Sequence, residues 1–363
     1  MHTQDEKFMK RALALAGKGE RFVSPNPMVG AVIVKGGRVI AEGYHRKFGG
    51  SHAEIDAIGR ATESVEGATL YVTLEPCCHH GKTPPCVATL LDRRLRRVVI
   101  GSIDPNPLVH GCGADALRRG GVEVTVGVLA EECRQLNARF FKFMETGAPF
   151  VTLKFAQTLD GRIATATGDA RWISCPESLR FAHHLRAVHD AVLVGAGTVE
   201  ADDPELTVRS VRGRNPLRVV VDSLLRLPEQ ARVFQDQHRA KTLVAATCAR
   251  EPAEEAQLAK MGVEVLSVAG DGRGGADLQD LFRRLGSRGV SSVLVEGGSG
   301  VITSVLRERL ADRIVIILAP KILGKGTASV GDLDIRRMEN ALPLRFDSLR
   351  KRGDDLVIEA RFA

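Results

Sequence analysis

Short apolar runs rich in β-branched residues alternate with helical segments along nearly the whole chain, and this alternation limits the possible folds. Strands that alternate with helices form a sheet covered by helices, as in α/β proteins. Gly147-Ala148-Pro149 interrupts the pattern, because glycine and proline end a helix. We therefore predict two α/β domains, residues 1–147 and 148–363, which suits a length of 363 residues.

The first half is expected to contain a helix, a β-hairpin and then alternating helices and strands. Lys35-Gly36-Gly37 separates two apolar runs, and its glycines can supply the positive φ values of a hairpin turn. The predicted helices are 5–16, one from about 53, one from about 86, 114–119 and 130–144. The predicted strands are 29–34, 39–44, 69–74, 98–103 and 122–128.

The second half is expected to form its own sheet. Its predicted strands are 150–155, 191–194, 217–221, 242–246, 263–268, 292–295 and 313–319. Its predicted helices are 177–187, 278–284 and 300–310. Residues 342–349 and 355–362 are typical of a final antiparallel pair.

Composition and charge argue against several classes of function. No apolar run reaches the roughly 18–20 residues of a membrane span, and residues 1–6 lack the features of a signal peptide. We therefore expect a cytoplasmic protein without a membrane partner. The net charge of +7 is spread along the chain, so we expect no nucleic-acid partner. Among seven cysteines only Cys77, Cys78 and Cys86 cluster, which favours a metal or reactive thiols over disulfides.

Three short segments together predict a zinc site. His52-Ala53-Glu54 begins a predicted helix, Cys77 follows a predicted strand, and Cys86 begins the next helix. Catalytic zinc takes three nitrogen or sulfur ligands and keeps one position for water, and a helix N-terminus stabilises a thiolate. We therefore expect His52, Cys77 and Cys86 to bind zinc. Glu54 is expected to carry protons between water and a leaving nitrogen.

Other ligand sets stay open at this point. Cys78, His79 and His80 lie among the eight residues between Cys77 and Cys86. Neighbouring side chains diverge, which favours one cysteine of the adjacent pair over both. A structural zinc ion with a fourth ligand is a further alternative, since these residues could supply that ligand.

The spacing of the two cysteines differs from the P-C-x-x-C pattern typical of zinc deaminases. With Pro25-Asn26-Pro27-Met28-Val29-Gly30-Ala31-Val32 upstream and the long spacer from Cys78 to Pro85, this half resembles the deaminase domain of the bacterial bifunctional riboflavin biosynthesis enzymes. The resemblance implies a cytidine-deaminase-like three-layer α/β fold. It implies substrate contacts from Asn26, His45, Lys82, Asp104 and Asn106. The family commonly has Ser and Arg where this chain has Cys78 and Lys82.

The residues of the second half alone give two weaker signals. Glu296-Gly297-Gly298-Ser299-Gly300 follows an apolar strand and begins a helix, which is typical of a phosphate site or of a tight turn alone. It does not match the G-x-G-x-x-G fingerprint of dinucleotide-binding folds. Ala201-Asp202-Asp203-Pro204 is typical of a turn.

The resemblance also covers this half, through residues 153–162, 171–173, 185–187, 197–209 and 295–298. These segments look like the reductase domain of the same enzymes, which is similar in fold to dihydrofolate reductase. The resemblance implies NADPH contacts from Ala156, Trp172, Thr198, Asp202, Ser223, Gly298, Ser299, Gly300, Val301, Ile302, Thr303 and Ser304. It implies substrate contacts from Lys154, Arg186, Leu206, Arg209 and Glu296. Ala170 stands where the family can have Ser.

The resemblance therefore implies a bifunctional enzyme with zinc and NADPH as cofactors. The first domain would deaminate 2,5-diamino-6-(5-phosphoribosylamino)pyrimidin-4-one, and the second would reduce the ribosyl group of 5-amino-6-(5-phosphoribosylamino)uracil to ribityl. We also expect a homo-oligomer. A nucleic-acid or nucleoside base deaminase is one alternative, but aromatic residues make up only 4% and base stacking needs them. A zinc-binding module without activity is another, and it leaves Glu54 without a role.

Overall fold

The computed structural model describes residues 4–78, 84–107, 109–247 and 252–363. It divides into two compact units, Met1–Thr146 and Gly147–Ala363, each with its own sheet and core. No helix in these ranges is both long and apolar enough to cross a membrane.

The first unit contains a five-stranded sheet in the order β2-β1-β3-β4-β5. Its strands are β1 (Gly30–Lys35), β2 (Arg38–Tyr44), β3 (Thr69–Leu74), β4 (Arg97–Ser102) and β5 (Glu123–Val126). Its helices are α1 (Gln4–Ala16), α2 (Ala53–Gly59), α3 (Cys86–Asp92), α4 (Cys112–Arg119), α5 (Ala130–Leu136) and α6 (Ala138–Thr146), with a 3₁₀ turn at Gly17–Gly19. Strand β1 is antiparallel to β2 and β3, whereas β3, β4 and β5 are parallel.

Helices cover both faces of this sheet, because successive strand residues point to opposite sides. Ile33 and Leu70 pack in one core cluster with residues of α2, α3 and α4. Their neighbours Val32 and Tyr71 pack in another cluster with residues of α1 and α5. The three-layer α/β arrangement predicted from the sequence is therefore confirmed.

The predicted hairpin forms at Gly36 and Gly37, whose φ values are 56° and 75°. The single helix predicted over 130–144 is wrong, because Asn137 separates α5 from α6. The Asn137 side chain is buried, and it accepts the Met28 N–H and donates to the Met28 carbonyl, both at 2.8 Å. These two hydrogen bonds hold the chain at the helix break, a constraint that helical periodicity does not reveal.

The second unit contains a nine-stranded sheet in the order β11-β10-β9-β8-β12-β6-β13-β16-β15, and β14 pairs separately with β7. Its strands are β6 (Phe150–Thr158), β7 (Arg162–Thr165), β8 (Ala191–Gly195), β9 (Leu217–Val221), β10 (Thr242–Ala246), β11 (Glu264–Ser267), β12 (Ser292–Val295), β13 (Arg313–Ala319), β14 (Gly326–Ala328), β15 (Leu344–Arg352) and β16 (Asp355–Phe362). Its helices are α7 (Pro176–Val188), α8 (Ala196–Asp202), α9 (Arg232–Gln235), α10 (Pro252–Lys260), α11 (Leu278–Ser287) and α12 (Ser299–Arg307), with a 3₁₀ turn at Met338–Asn340. The elements that sequence analysis missed are β7, β14, α8, α9 and α10.

In the order of the sheet, the seven strands β11, β10, β9, β8, β12, β6 and β13 are parallel. Strands β16 and β15 extend the sheet as the predicted antiparallel pair. The carboxyl ends of parallel strands meet at one edge of a sheet, where α/β proteins bind ligands. Strands β9, β8, β12 and β6 are consecutive neighbours here. The loops that follow these four strands therefore lie side by side.

Candidate functional site

The three residues predicted as zinc ligands come together at the N-terminal ends of two helices. His52 immediately precedes α2, Cys86 is the first residue of α3, and Cys77 lies just after β3. Nδ1 of His52 lies 3.5 Å from Sγ of Cys77 and 3.3 Å from Sγ of Cys86. The three ligand atoms all lie within 4.8 Å of one another, close enough to bind one metal ion.

The two thiols of this cluster shift each other's pKa in opposite directions. A hydrogen bond from the Cys86 thiol lowers the pKa of Cys77, and the Cys86 backbone N–H, 3.3 Å from the Cys77 sulfur, acts in the same direction. The same thiol–thiol hydrogen bond raises the pKa of Cys86. A divalent cation would stabilise both thiolates, so one imidazole and two cysteines fit a zinc ion with a position for water.

Glu54 lies in the first turn of α2, beside the ligand cluster, and only 4% of it is exposed. Burial raises the pKa of its carboxyl to about 7. The carboxyl also interacts with the charges of His52 and Cys77. A carboxyl with such a pKa can accept a proton and return it at physiological pH, as a general acid and base must.

Asn26 and His45, both expected to contact substrate, are connected to each other beside this cluster. His45 is buried, and its Nδ1 donates to the Ser51 carbonyl at 3.0 Å. Its Nε2 therefore accepts from the Asn26 amide nitrogen, 3.1 Å away. Burial lowers the pKa of His45 and so favours the neutral imidazole. The rings of His45 and His52 meet edge-on, with centroids 5.7 Å apart.

Asp104 and Asn106, also expected to contact substrate, form one turn after β4. Oδ1 of the buried Asp104 accepts the Asn106 N–H at 2.8 Å. The Asp104 N–H donates to Oε2 of Glu75 at 3.2 Å. Since Glu75 lies two residues before Cys77, this hydrogen bond connects the turn to the segment that carries a proposed metal ligand. Sequence analysis missed Glu75, although it lies only two residues before Cys77.

Of the other candidate residues named between Cys77 and Cys86, the structure describes only Cys78. Lys82, His79 and His80 lie outside the described residues. Burial raises the pKa of the Cys78 thiol, which interacts with Cys112 and is not part of the group formed by His52, Cys77 and Cys86.

In the second unit, Arg186, Lys154 and Glu296 form a partly buried charged cluster. Arg186 binds Glu296 through two hydrogen bonds, from Nε to Oε1 at 2.6 Å and from its terminal nitrogen to Oε2 at 3.0 Å. Lys154 Nζ lies 3.6 Å from the same carboxylate. Burial raises the pKa of Glu296, but the two positive charges outweigh it and bring the pKa to about 2. The structure thus brings together three of the five residues expected to bind this substrate.

The other two, Leu206 and Arg209, lie in the segment that follows α8. Leu206 is buried with a φ of 54°, and the Arg209 guanidinium donates to Glu205 at 2.6 Å. The Arg209 backbone N–H donates to Nδ1 of His183 at 3.2 Å. Burial and the charges of Arg186 and Arg209 lower the pKa of His183 to about 4.

Sequence analysis missed His183 as a neighbour of this cluster. The histidine lies three residues before Arg186 in α7, and residues at this spacing share one helix face. That spacing is the signal that could have found it.

Most of the residues expected to hold NADPH lie near or beyond the carboxyl ends of the four neighbouring parallel strands. Ala156 is in β6, Thr198 and Asp202 are in α8 after β8, Ser223 follows β9, and residues 298–304 follow β12. The Thr198 hydroxyl accepts the Gly298 N–H at 2.9 Å, which joins two of these loops. Trp172 is exposed, whereas Ile302 is fully buried and its backbone N–H donates to the Gly298 carbonyl at 3.1 Å.

The beginning of α12 fits a phosphate group of such a nucleotide. The first N–H groups of a helix have no partner within the helix and attract anions. A Cβ atom on Gly195 or Gly297 would lie 2.8 or 2.7 Å from the Val301 side chain. Glycine at both positions therefore allows the two loops to approach the start of the helix closely.

Two family models match the chain. The model described as the RibD C-terminal domain matches residues 149–358, which is more than half of the chain. This chain belongs to the RibD family. The model described as the cytidine and deoxycytidylate deaminase zinc-binding region matches residues 2–102. The RibD family therefore accounts for both units and confirms the resemblance identified in the sequence.

RibD relatives match the chain over nearly its full length. The riboflavin biosynthesis protein RibD of Aquifex aeolicus is 46% identical over 98% of this chain and 97% of its own. The RibD protein of Escherichia coli K12 is 38% identical over 98% of both chains.

Solved structures of RibD proteins share the fold. Acinetobacter baumannii RibD has a TM-score of 0.89 and 35% identity over 99% of both chains. A Thermotoga maritima protein, described as a diaminohydroxyphosphoribosylaminopyrimidine deaminase/5-amino-6-(5-phosphoribosylamino)uracil reductase, has a TM-score of 0.86 and 41% identity over 99% of both chains. The predicted fold class, a cytidine-deaminase-like α/β domain followed by an α/β reductase domain, is confirmed.

Proposed function

We propose that each unit of this chain carries one of two consecutive reactions of riboflavin biosynthesis, with residues 1–147 as the deaminase and 148–363 as the reductase. The chain is a bifunctional enzyme that uses zinc and NADPH. It deaminates 2,5-diamino-6-(5-phosphoribosylamino)pyrimidin-4-one and then reduces the ribosyl group of the product to ribityl. The observation that carries the proposal is the cluster of His52, Cys77 and Cys86 beside the buried Glu54.

In the deaminase, we assign His52, Cys77 and Cys86 as the zinc ligands and Glu54 as the general acid and base. Zinc bound by three such ligands lowers the pKa of water to about 7. Glu54 accepts a proton from the attacking water and passes it to the departing amino nitrogen, so that ammonia leaves the ring. Its pKa of about 7 suits both transfers.

Asn26, His45, Lys82, Asp104 and Asn106 are the proposed substrate contacts of this site. The amide nitrogen of Asn26 is hydrogen-bonded to His45. We therefore assign the Asn26 carbonyl oxygen to accept a hydrogen bond from an N–H group of the pyrimidine. Asp104 and Asn106 are assigned to hold the substrate from the neighbouring turn.

In the reductase, the loops after β6, β8, β9 and β12 are proposed to hold NADPH, which supplies a hydride to the sugar when bound. The contacts are assigned to Ala156, Trp172, Thr198, Asp202, Ser223 and residues 298–304. Arg186 and Arg209 are assigned to the substrate phosphate, because guanidinium N–H groups pair with phosphate oxygens. Lys154, Leu206 and Glu296 complete the proposed substrate site.

Both reactions are tested with one purified protein. Incubated with the diaminopyrimidine substrate alone, the protein should release one ammonia per substrate and no more. Added NADPH should then be consumed in an equal amount as the ribityl product forms. Ammonia release without any NADPH consumption would contradict the reductase assignment. The deaminase assignment would be contradicted if the protein oxidised NADPH when given the deaminated compound but neither released ammonia nor oxidised NADPH when given the diaminopyrimidine.

We also infer a cytoplasmic homo-oligomer that takes small phosphoribosylaminopyrimidines. Strand β15 is the edge of the nine-stranded sheet and exposes Leu344, Phe346 and Leu349. Exposed edge strands with apolar side chains tend to be covered by another chain. Analytical ultracentrifugation tests the inference, and a monomer at micromolar concentration would contradict it.

A further inference from the structure

Glu75 is a buried acid that accepts three backbone N–H groups from another part of the chain. Only 4% of the residue is exposed. Its Oε2 accepts from Asp104 at 3.2 Å and from Gly111 at 2.9 Å, and its Oε1 accepts from Ala114 at 2.9 Å. A carboxylate with several backbone donors holds them more strongly than a neutral acceptor would.

Two of these donors belong to the beginning of α4. Gly111 precedes the helix and has no side chain to cap it, so Glu75 supplies the capping carboxylate from the end of β3. The packing there is close, since a Cβ atom on Gly113 would lie 2.1 Å from the Pro76 carbonyl oxygen. Helix α4 is thus held directly against the segment that leads to Cys77.

The third donor extends the same connection to the substrate side. The Glu75 carboxylate accepts a hydrogen bond from the Asp104 N–H, and Oδ1 of Asp104 accepts one from the Asn106 N–H at 2.8 Å. His110 Nδ1 adds a hydrogen bond to the Asp104 carbonyl at 3.1 Å. The Glu75 carboxylate therefore connects the turn that carries Asn106 to the segment that carries Cys77, in addition to the backbone pairing of β3 with β4.

We propose that Glu75 is a positioning residue of the deaminase, which sets the distance between the substrate-binding turn at Asp104 and Asn106 and the metal ligand Cys77. The inference rests on the substrate contacts assigned to that turn under the proposed function. Glu75 itself touches neither substrate nor metal in this role. Its loss should therefore weaken substrate binding while zinc stays bound.

Two substitutions of graded severity test the proposal. Glu75→Gln keeps one acceptor oxygen but turns an amide N–H toward a backbone N–H, and Glu75→Leu removes all three hydrogen bonds. We expect the KM for the diaminopyrimidine to rise several-fold in the first and on the order of tenfold or more in the second, with one zinc per chain retained. Asp115→Asn is the matched control, because Asp115 is an exposed acid of the same helix and should leave the KM unchanged.

A double-mutant cycle separates positioning from general stability. If Glu75 acts through the turn, Glu75→Gln should raise the KM far less in an Asn106→Ala background than in the wild type. Equal effects in both backgrounds would overturn the proposal, as would an unchanged KM or loss of zinc in folded Glu75→Gln. If Glu75→Leu does not fold, Glu75→Gln and the double-mutant cycle still test whether Glu75 positions the turn. Absence of ammonia release by the wild type would instead contradict the proposed function itself.

Discussion

Glu54 and Glu296 are both buried carboxyls, yet their surroundings favour opposite protonation states. Burial raises the pKa of Glu54 to about 7, whereas Arg186 and Lys154 outweigh burial and bring the pKa of Glu296 to about 2. The sequence predicted a role for Glu54 from the chemistry of a zinc site, and for Glu296 only through the family resemblance. It could not predict their ionisation, since Arg186 and Glu296 lie 110 residues apart in the chain.

Substitution of Glu54 tests the proton transfer alone. Glu54→Gln is nearly isosteric but cannot accept or donate a proton in the same way, so the kcat of deamination should fall by about 10²–10⁴. Zinc content and NADPH-dependent reduction of the deaminated substrate should stay unchanged. Ammonia release at a near-normal rate would remove Glu54 from the mechanism.

The cysteine pair gives a test of the ligand set. Cys77→Ser should lose zinc, because Cys77 lies in the cluster, whereas Cys78→Ser should keep it, because Cys78 lies outside. Metal analysis of the two purified variants measures this. Zinc lost in Cys78→Ser and kept in Cys77→Ser would reverse the assignment.

His183 is expected to act through its unprotonated Nδ1, which accepts the Arg209 N–H. His183→Asn keeps an acceptor close to this position, so it should preserve the reductase KM for substrate better than His183→Ala, which should raise it several-fold.

Because the pKa of His183 is lowered to about 4, the imidazole is neutral above that pH. The ratio of the KM of His183→Ala to that of the wild type should therefore be constant from pH 6 to pH 8, and a ratio that falls as pH rises would show that a protonated histidine binds the phosphate.

At the scale of elements, the sequence predicted most strands well, because buried parallel strands are short, apolar and β-branched. Leu217–Val221, Thr242–Ala246 and Ser292–Val295 have the predicted bounds. The sequence did not predict helix ends that tertiary contacts determine. The break at Asn137 is one of them, because its side chain forms hydrogen bonds with the backbone of Met28. It also missed helix α8 (Ala196–Asp202), which is short and carries two of the residues assigned to NADPH.

The hydrogen bond between α8 and the start of α12 is expected to support NADPH binding. Thr198→Val is nearly isosteric but removes the hydroxyl that accepts the Gly298 N–H, so the KM for NADPH should rise several-fold. Thr198→Ser keeps the hydroxyl and serves as the control. Deamination should be the same in all three proteins, and an unchanged KM for NADPH in the Val variant would contradict a role for this hydrogen bond.

At the scale of the whole molecule, each unit has its own sheet, core and proposed site. The Gly147-Ala148-Pro149 break predicted this organisation, because these residues end a helix before a new strand. The sequence did not give the strand order of either sheet, which depends on pairings between distant segments.

The two activities should therefore survive separation of the chain. A protein of residues 1–147 should bind zinc and release ammonia, and a protein of residues 148–363 should oxidise NADPH with the deaminated substrate. Circular dichroism checks that each half is folded. A folded second half that neither binds nor oxidises NADPH would contradict the reductase assignment.

Asn137 and Met28 are 109 residues apart, and their paired hydrogen bonds have a consequence for protein synthesis. On the ribosome the segment around Met28 emerges early, but its partner is made only when the first unit is nearly complete. The loop that carries Asn26 therefore acquires its final anchor late in translation. A nascent chain that stops before residue 137 would contain all three proposed zinc ligands but would lack the hydrogen bonds between Asn137 and Met28. Deaminase activity should therefore appear on the ribosome only after α5 and α6 have left the exit tunnel.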